Sequence, residues 1–233
     1  MINKKENVNC KACNCICNSS FKHLEAEELE NLSNDKTCFN YKKGQIIIFP
    51  DTMPLGVYCL QTGVLKSYIG NREKNQIIRI YRKGDLIGLT AIINESPYNY
   101  TVDVVEDATI CFIPRNTIIK IKENNLKFCN ELLSKNCKQM HDLKSKLYSI
   151  STESVKQRLA ATLIELNNHF GTNDRESLID IALKREELAC LVGTSKETVI
   201  RILSEYKDCG ILSFEKKKIR IINLERLLSD MEQ

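Results

Sequence analysis

At 233 residues with a formal net charge of +4, the chain is long enough for one large or two modest domains, and its total charge is too small to select a polyanionic partner. Hydrophobic residues make up 42%, but no apolar run approaches the ~20 residues of a membrane span, and the opening MINKKENVN is polar with no apolar stretch behind it. These features argue against a membrane helix and a secretory leader, and predict a cytoplasmic protein whose 11 cysteines are not a disulfide framework.

Four of the cysteines, Cys10, Cys13, Cys15 and Cys17, crowd into NCKACNCICNS, with nothing nearby to build a hydrophobic core. Cys38, Cys59, Cys129, Cys137, Cys190 and Cys209 are scattered among apolar residues and read as small core side chains. Residues 24–33, LEAEELENLS, read as a short acidic helix with Leu24, Leu29 and Leu32 on one side. From 36 to 114 short β-rich runs recur (QIIIF, GVYCL, GVLKSYI, QIIRIY, TVDVV, TICFI), punctuated by Gly44, Gly56, Gly63, Gly70, Gly84 and Gly88. Many short strands with close turn signals predict a sandwich or barrel.

After Pro114 the period changes. Leu126, Cys129, Leu133, Asn136, Met140, Leu143, Leu147 and Ile150 are separated by alternating gaps of three and four. That 3.5-residue repeat is the seam of a helix that pairs with another helix, and a single polar Asn136 within it is a usual register device. It predicts a homodimer through Leu133, Asn136, Met140, Leu143 and Leu147. Ser151 to Ser154 interrupt the pattern and can cap a further helix over 154–169, carrying Val155, Leu159, Leu163 and Leu166. Gly171 and the polar TNDRES stretch form a loop.

LKREELACLVGTSKETVIRILSEYKDCGIL, residues 183–212, is the most informative stretch. A helix over about 185–192 buries Leu188, Ala189 and Val192, and Gly193 ends it. Thr194 or Ser195 caps a second helix that runs to about Cys209. Val199, Ile202, Leu203 and Tyr206 face inward, which leaves Lys196, Glu197, Ile200, Arg201 and Ser204 outward near its start. A helix-turn-helix presents DNA bases with that part of its second helix, where Arg pairs two ways with guanine and Glu accepts from cytosine. ILSFEKKKIRII then forms two strands around Lys216, Lys217 and Lys218, a wing suited to phosphates. The candidate DNA contacts are Ser195, Lys196, Glu197, Ile200, Arg201 and these three lysines. Acidic residues slightly outnumber basic ones beyond residue 150, so the attraction has to be focused on one face.

KKGQIIIF, GVLKSY, KGDLIG, CFIP, the long helix and GTSKETVIR together resemble the CRP/FNR superfamily of bacterial transcription regulators over nearly the whole chain. The resemblance implies an α+β chain: a cysteine-rich segment (1–23), a cyclic-nucleotide-binding-type β-roll (24–124), a dimerisation helix (125–150) and a winged helix-turn-helix (151–233). It implies double-stranded DNA with an inverted-repeat operator and RNA polymerase as partners, and it places the family's E-x-x-x-R base-reading pair on Glu197 and Arg201. Where relatives often carry Ser or Gly this chain has Ile200, which can touch a thymine methyl but cannot hydrogen-bond a base. Members that bind cyclic AMP grip its phosphate with an Arg followed by Ser or Thr. Here Tyr100-Thr101 stands at that place, and no Arg or Lys occurs between Gly84 and Asp107, so no cyclic nucleotide is expected.

FNR-like members hold a [4Fe–4S] cluster with cysteines ahead of the first helix and one in the β-roll. The resemblance carries this over to Cys10, Cys13, Cys17 and Cys111, with Cys15 as the alternative to Cys17 because C-x2-C-x-C-x-C is tighter than the family spacing. Zinc, a thiol redox switch, haem or another small molecule, or no role for these thiols, remain open at this point. The expected function is a dimeric DNA-binding regulator responding to oxygen, nitric oxide or redox state. The dimer is expected in both states, because the seam holds no charge to drive the helices apart. An iron–sulfur electron carrier is the reading from another class. No enzyme is expected, since P-loop, G-x-G-x-x-G and H-E-x-x-H motifs are absent and His23, His141 and His169 read as surface residues.

Overall fold

The computed structural model describes residues 3–5, 9–70, 75–172 and 177–232. Parts of the charged opening and of the TNDRES loop, residues 1–2, 6–8 and 173–176, lie outside the described residues. The chain is α+β, as expected, and divides into two compact units. The division falls inside the long helix, between Met140 and His141, with residues 75–77 grouped with the second unit. Among the described residues no helix is long and apolar enough to cross a membrane.

In the first unit β1 (Asn3–Lys5) precedes three 3₁₀ turns, Cys10–Ala12, Ile16–Asn18 and Ser20–His23, which lead into α1 (Ala26–Asp35). Then follow β2 (Thr37–Tyr41), β3 (Ile46–Ile48), β4 (Gly56–Gly70), β5 (Asn75–Tyr81), β6 (Leu86–Ile87), α2 (Leu89–Ile93) and β7 (Thr101–Pro114). The sheet runs β1-β2-β7-β4-β5, with β3 also on β7 and β6 on β4. Four of the expected short strands are in fact two long ones: GVYCL and GVLKSYI are both β4, and TVDVV and TICFI are both β7. Gly63, expected as a turn, sits inside β4 at φ +88°, where the register against β7 shifts. A Cβ there would come within 2.5 Å of the Asp107 carbonyl oxygen, so glycine lets the strand bend and continue.

Alternation along β4 and β7 builds two cores. Leu60, Leu65, Val102, Val104, Ala108 and Ile110 pack inside the roll with Tyr41, Tyr81 and Tyr98. Val57, Cys59, Cys111 and Ile113 face the other way, onto the N-terminal turns and α1. The tyrosine rings continue around Tyr100, whose ring centroid lies 5.8 Å from that of Tyr98. Burial pushes both hydroxyls well above the usual tyrosine range.

Pro114 then caps α3 (Arg115–Asn124), which leads to α4 (Leu126–Thr152). Phe128 and Leu132 of α4 pack into the first unit, whereas Leu126, Leu133, Met140, Leu143 and Leu147 are 53–75% exposed. Asn136 is half-buried, and its side-chain amide donates to the Leu132 carbonyl of its own helix at 2.8 Å.

In the second unit Ser154 caps α5 (Val155–Phe170) reciprocally with Gln157. Leu159, Ala160, Leu163 and Leu166 are the buried stripe of α5. After β8 (Leu178–Ile179) come α6 (Arg185–Val192), α7 (Lys196–Asp208), β9 (Leu212–Glu215), β10 (Lys218–Ile221) and α8 (Leu224–Glu232). β8 extends the expected two-stranded wing to a three-stranded sheet, in the order β8-β10-β9.

Candidate functional site

Cysteine placement in the first unit follows from turn and strand geometry. A 3₁₀ turn eclipses positions i and i+3, so Cys10 and Cys13 lie on one side of theirs, and both are buried. The Cys10 N–H donates to Ser33 Oγ of α1 at 2.8 Å, which ties the turn to that helix. Cys15 is buried, with its Sγ 3.0 Å from that of Cys13, and the Gln61 side-chain amide reaches Cys13 Sγ at 3.6 Å. The turn over Ile16–Asn18 leaves Cys17 exposed.

Beneath these turns lies a row of three cysteines across the sheet. Cys111 of β7 is directly opposite Cys38 of β2 on one side and Cys59 of β4 on the other. The Cα atoms of Cys38 and Cys111 are 4.0 Å apart and the two form a disulfide. All six residues, Cys10, Cys13, Cys15, Cys38, Cys59 and Cys111, belong to one buried cluster. Cys111, expected as the distant partner of the N-terminal thiols, is thus in their cluster but bonded to Cys38.

The cluster is electrostatically uneven. Cys15 is pulled down to about 6, chiefly because the Cys59 thiol hydrogen-bonds its sulfur; burial opposes this, and Cys13, Lys83 and Lys36 add to the lowering. Giving that hydrogen bond pushes Cys59 up, with burial acting in the same direction. Burial also pushes Cys13 up. The lowering favours the thiolate form of Cys15, the form that binds metals. Among the described residues no three ligating side chains already surround a point suited to a single ion. A [4Fe–4S] cluster instead takes one thiolate at each of four irons, and a buried set made entirely of sulfur matches that requirement.

The cysteine turns are also fixed to α4. Phe21 stacks on Phe128 with ring centroids 5.7 Å apart and planes 4° from parallel, and both rings are buried. Glu131 holds Lys22 at 3.1 Å and His23 at 3.4 Å, while Lys135 donates to Ser20 Oγ at 3.0 Å. The Lys22 ammonium keeps the Glu131 carboxyl below the usual carboxylate range. Sequence reasoning misses this clamp, whereas Cys59 is buried in the core cluster, as its reading as a core cysteine expects. Cys38 is buried as expected of a core cysteine, but its disulfide was not foreseen. Cys137 and Cys209 correct the core reading: both are exposed, and Cys129 and Cys190 are only half-buried.

In the second unit α6 ends at Gly193, whose φ of +74° is the left-handed turn glycine makes easily. Ser195 caps α7, accepting from the Thr198 N–H at 3.2 Å. Val199, Ile202, Leu203 and Tyr206 are buried, as the sequence pattern predicts. Lys196, Glu197, Ile200 and Arg201 share the exposed face. Lys196 pairs with Glu186 at 2.5 Å, and Arg201 with Glu205 at 2.6 Å. Such exposed pairs contribute little and exchange readily for a phosphate or a base. Lys216 and Lys217 form the wing turn, Lys216 at φ +56°, whereas Lys218 already belongs to β10 and pairs with Asp180.

Comparison with known proteins gives the same architecture. The cyclic nucleotide-binding domain model matches residues 38–125 and the Crp-like helix-turn-helix domain model matches residues 157–229. The chain is 28% identical over 231 residues to the fumarate and nitrate reduction regulatory protein of Yersinia pestis, covering 94% of this chain and 89% of that one. It is 24% identical over 229 residues to the anaerobic regulatory protein of Aggregatibacter actinomycetemcomitans, covering 95% of this chain and 87% of that one. The solved structure of FixK2 from Bradyrhizobium japonicum superposes with a TM-score of 0.73 at 23% identity, over 83% of this chain and 96% of that one. A β-roll of the cyclic nucleotide-binding type followed by a Crp-like helix-turn-helix places this chain in the CRP/FNR superfamily of transcription regulators.

Proposed function

We propose that the chain is a dimeric, sequence-specific DNA-binding regulator that responds to oxygen, nitric oxide or redox state through an iron–sulfur centre held by its buried cysteines. The observation that carries this reading is the convergence of N-terminal and β-roll sulfurs in one buried cluster, on turns that are themselves clamped to α4. The names of the two relatives, one for anaerobic regulation and one for fumarate and nitrate reduction, agree with it.

When bound, such a centre supplies an oxidant-labile tie between the N-terminal turns and the sheet. The protein's own residues carry its state onward. Phe21 on Phe128, and Lys22 and His23 on Glu131, transmit the position of the turns to the first two turns of α4. Leu133, Met140, Leu143 and Leu147 lie on the same helix and pair it with a second copy. Without charge in the seam, the helices stay paired in both states and the signal alters their geometry.

DNA is read by α7. Arg201 is placed to fork onto a guanine, Glu197 to accept from a cytosine, and Ile200 to touch a thymine methyl. Ser195 and Lys196 lie at the helix start, where they suit phosphates, and Lys216, Lys217 and Lys218 contact backbone from the wing. Two-fold symmetry gives an inverted repeat with half-site centres ~34 Å apart. Selection from random duplexes tests this: an inverted repeat at that spacing is expected, and recovery of single, unpaired half-sites would refute the dimeric reading.

A further inference from the structure

Within the second unit one side chain joins the end of α4 to the turn that precedes the DNA-reading helix. Arg158, half-buried on the first turn of α5, spreads its guanidinium over three backbone carbonyls. Nη1 donates to Glu153 at 2.7 Å, Nε to Val192 at 3.0 Å and Nη2 to Gly193 at 3.3 Å. Glu153 directly follows α4, and its own N–H still donates to the Ser149 carbonyl of that helix. Val192 and Gly193 end α6, and Ser195, two residues on, caps α7. Carbonyls at a helix C-terminus lack partners within the helix and form its negative dipole end, so a guanidinium fork is a donor that suits them. The turn also rests on α4 itself: a Cβ on Gly193 would lie 4.0 Å from Cγ1 of Ile150, the last apolar residue of the seam. All of these residues belong to the second unit.

We propose that Arg158 is a positioning residue for DNA reading: it fixes the turn between α6 and α7 to the end of α4, and so sets the spacing at which two copies present α7 to an operator. This rests on the reading of the chain as a dimer paired through α4. Because α4 carries the seam, whatever holds the turn to its last residues holds both recognition helices to the dimer axis. Arg158 belongs to α5 and bonds main chain, so its replacement leaves the base-reading side chains Glu197 and Arg201 in place on α7. Nor does α5 need it as a cap, since Ser154 and Gln157 already cap that helix reciprocally. Lysine cannot substitute, because a single ammonium does not span three carbonyls as a planar fork does.

The test uses the full-length protein purified without oxygen, and duplexes carrying the selected inverted repeat at its best spacing or with one base pair added or removed at the centre. One base pair shifts a half-site by ~3.4 Å and turns it by ~35°. Wild type should prefer the best spacing over either neighbour by ~10-fold or more, the effect of a badly met base pair. R158Q should bind the three spacings within ~3-fold of one another and lose ~10-fold on the best, the worth of a hydrogen bond from a charged donor. Its affinity for a duplex with a single half-site should stay within ~2-fold of wild type, because the base and phosphate contacts of one subunit are untouched. A residue that only supports the fold would lower half-site binding as well. R158K keeps the stem and the charge without the fork and should show the same flattened profile; it carries the test if circular dichroism shows R158Q unfolded. A spacing profile as sharp as wild type in either folded variant, or an equal loss on the half-site and at every spacing, overturns the assignment and leaves the dimeric reading standing. Wild type indifferent to spacing overturns both.

Discussion

Replacing Leu143 by Ala tests whether α4 pairs with a second copy of the chain. Leu143 is central in the seam and 56% exposed in the single chain. Burying a leucine side chain completely contributes ~1.5–3 kcal/mol, so covering that exposed fraction contributes ~0.8–1.7 kcal/mol per chain and ~1.7–3.4 kcal/mol per dimer. At 1.4 kcal/mol per tenfold, the dimer dissociation constant of L143A should rise ~15–250-fold. Sedimentation over a dilution series, with and without oxygen, measures it. Lys144→Ala, an exposed position outside the seam, is the control and should leave the constant unchanged. The reasoning is refuted if L143A dimerises as tightly as K144A, or if wild type lacking its metal centre is a monomer at micromolar concentration.

Other outcomes follow from the same geometry. Arg201→Ala should cost ~1–3 kcal/mol on the selected operator and relax choice at one base pair, while Lys217→Ala should weaken all sequences alike and lower the salt slope by about 1. Quantitative gel shifts at several salt concentrations separate the two. Phe21→Ala removes a buried ring at a usual cost of ~3–5 kcal/mol and should free the cysteine turns, raising amide exchange at residues 10–24 while α7 keeps its protection. Glu131→Gln should loosen the same clamp by only ~0.2–1 kcal/mol. Because Lys22 lowers the Glu131 carboxyl in the folded chain, its contribution is present above the unfolded value and lost as pH falls through the folded one. Acidification should therefore raise exchange at Lys22 and His23 in the wild type and change it less in E131Q.

Elements whose signal is periodic were legible from the sequence. The 3.5-residue spacing of Leu133, Met140, Leu143 and Leu147 marks an apolar face that stays exposed along α4, and the four inward residues of α7 are those its pattern requires. Gly193 and Ser195 signal their turn by residue chemistry alone. What depended on register was hidden. Cys59 and Cys111 lie 52 positions apart, and only the pairing of β4 with β7 makes them neighbours. Gly63 has the residue type of a turn but serves as a bend within a strand, which local sequence cannot distinguish. Cys15 and Cys17 are equivalent as letters, and the 3₁₀ turns separate one inward from the other outward. The exposed Cys137 and Cys209 differ from the core reading for a related reason: a cysteine among apolar letters signals a core only when the helix face is known, and Cys137 lies off both the buried stripe and the seam of α4.

The most direct test of the account is iron and acid-labile sulfide in protein purified without oxygen, followed by operator affinity as the same sample is exposed to air. The account predicts a brown dimer with about four irons and four sulfides per chain, whose affinity for its operator changes as the colour bleaches. Colourless protein carrying zinc or no metal, with an affinity indifferent to air, would contradict it.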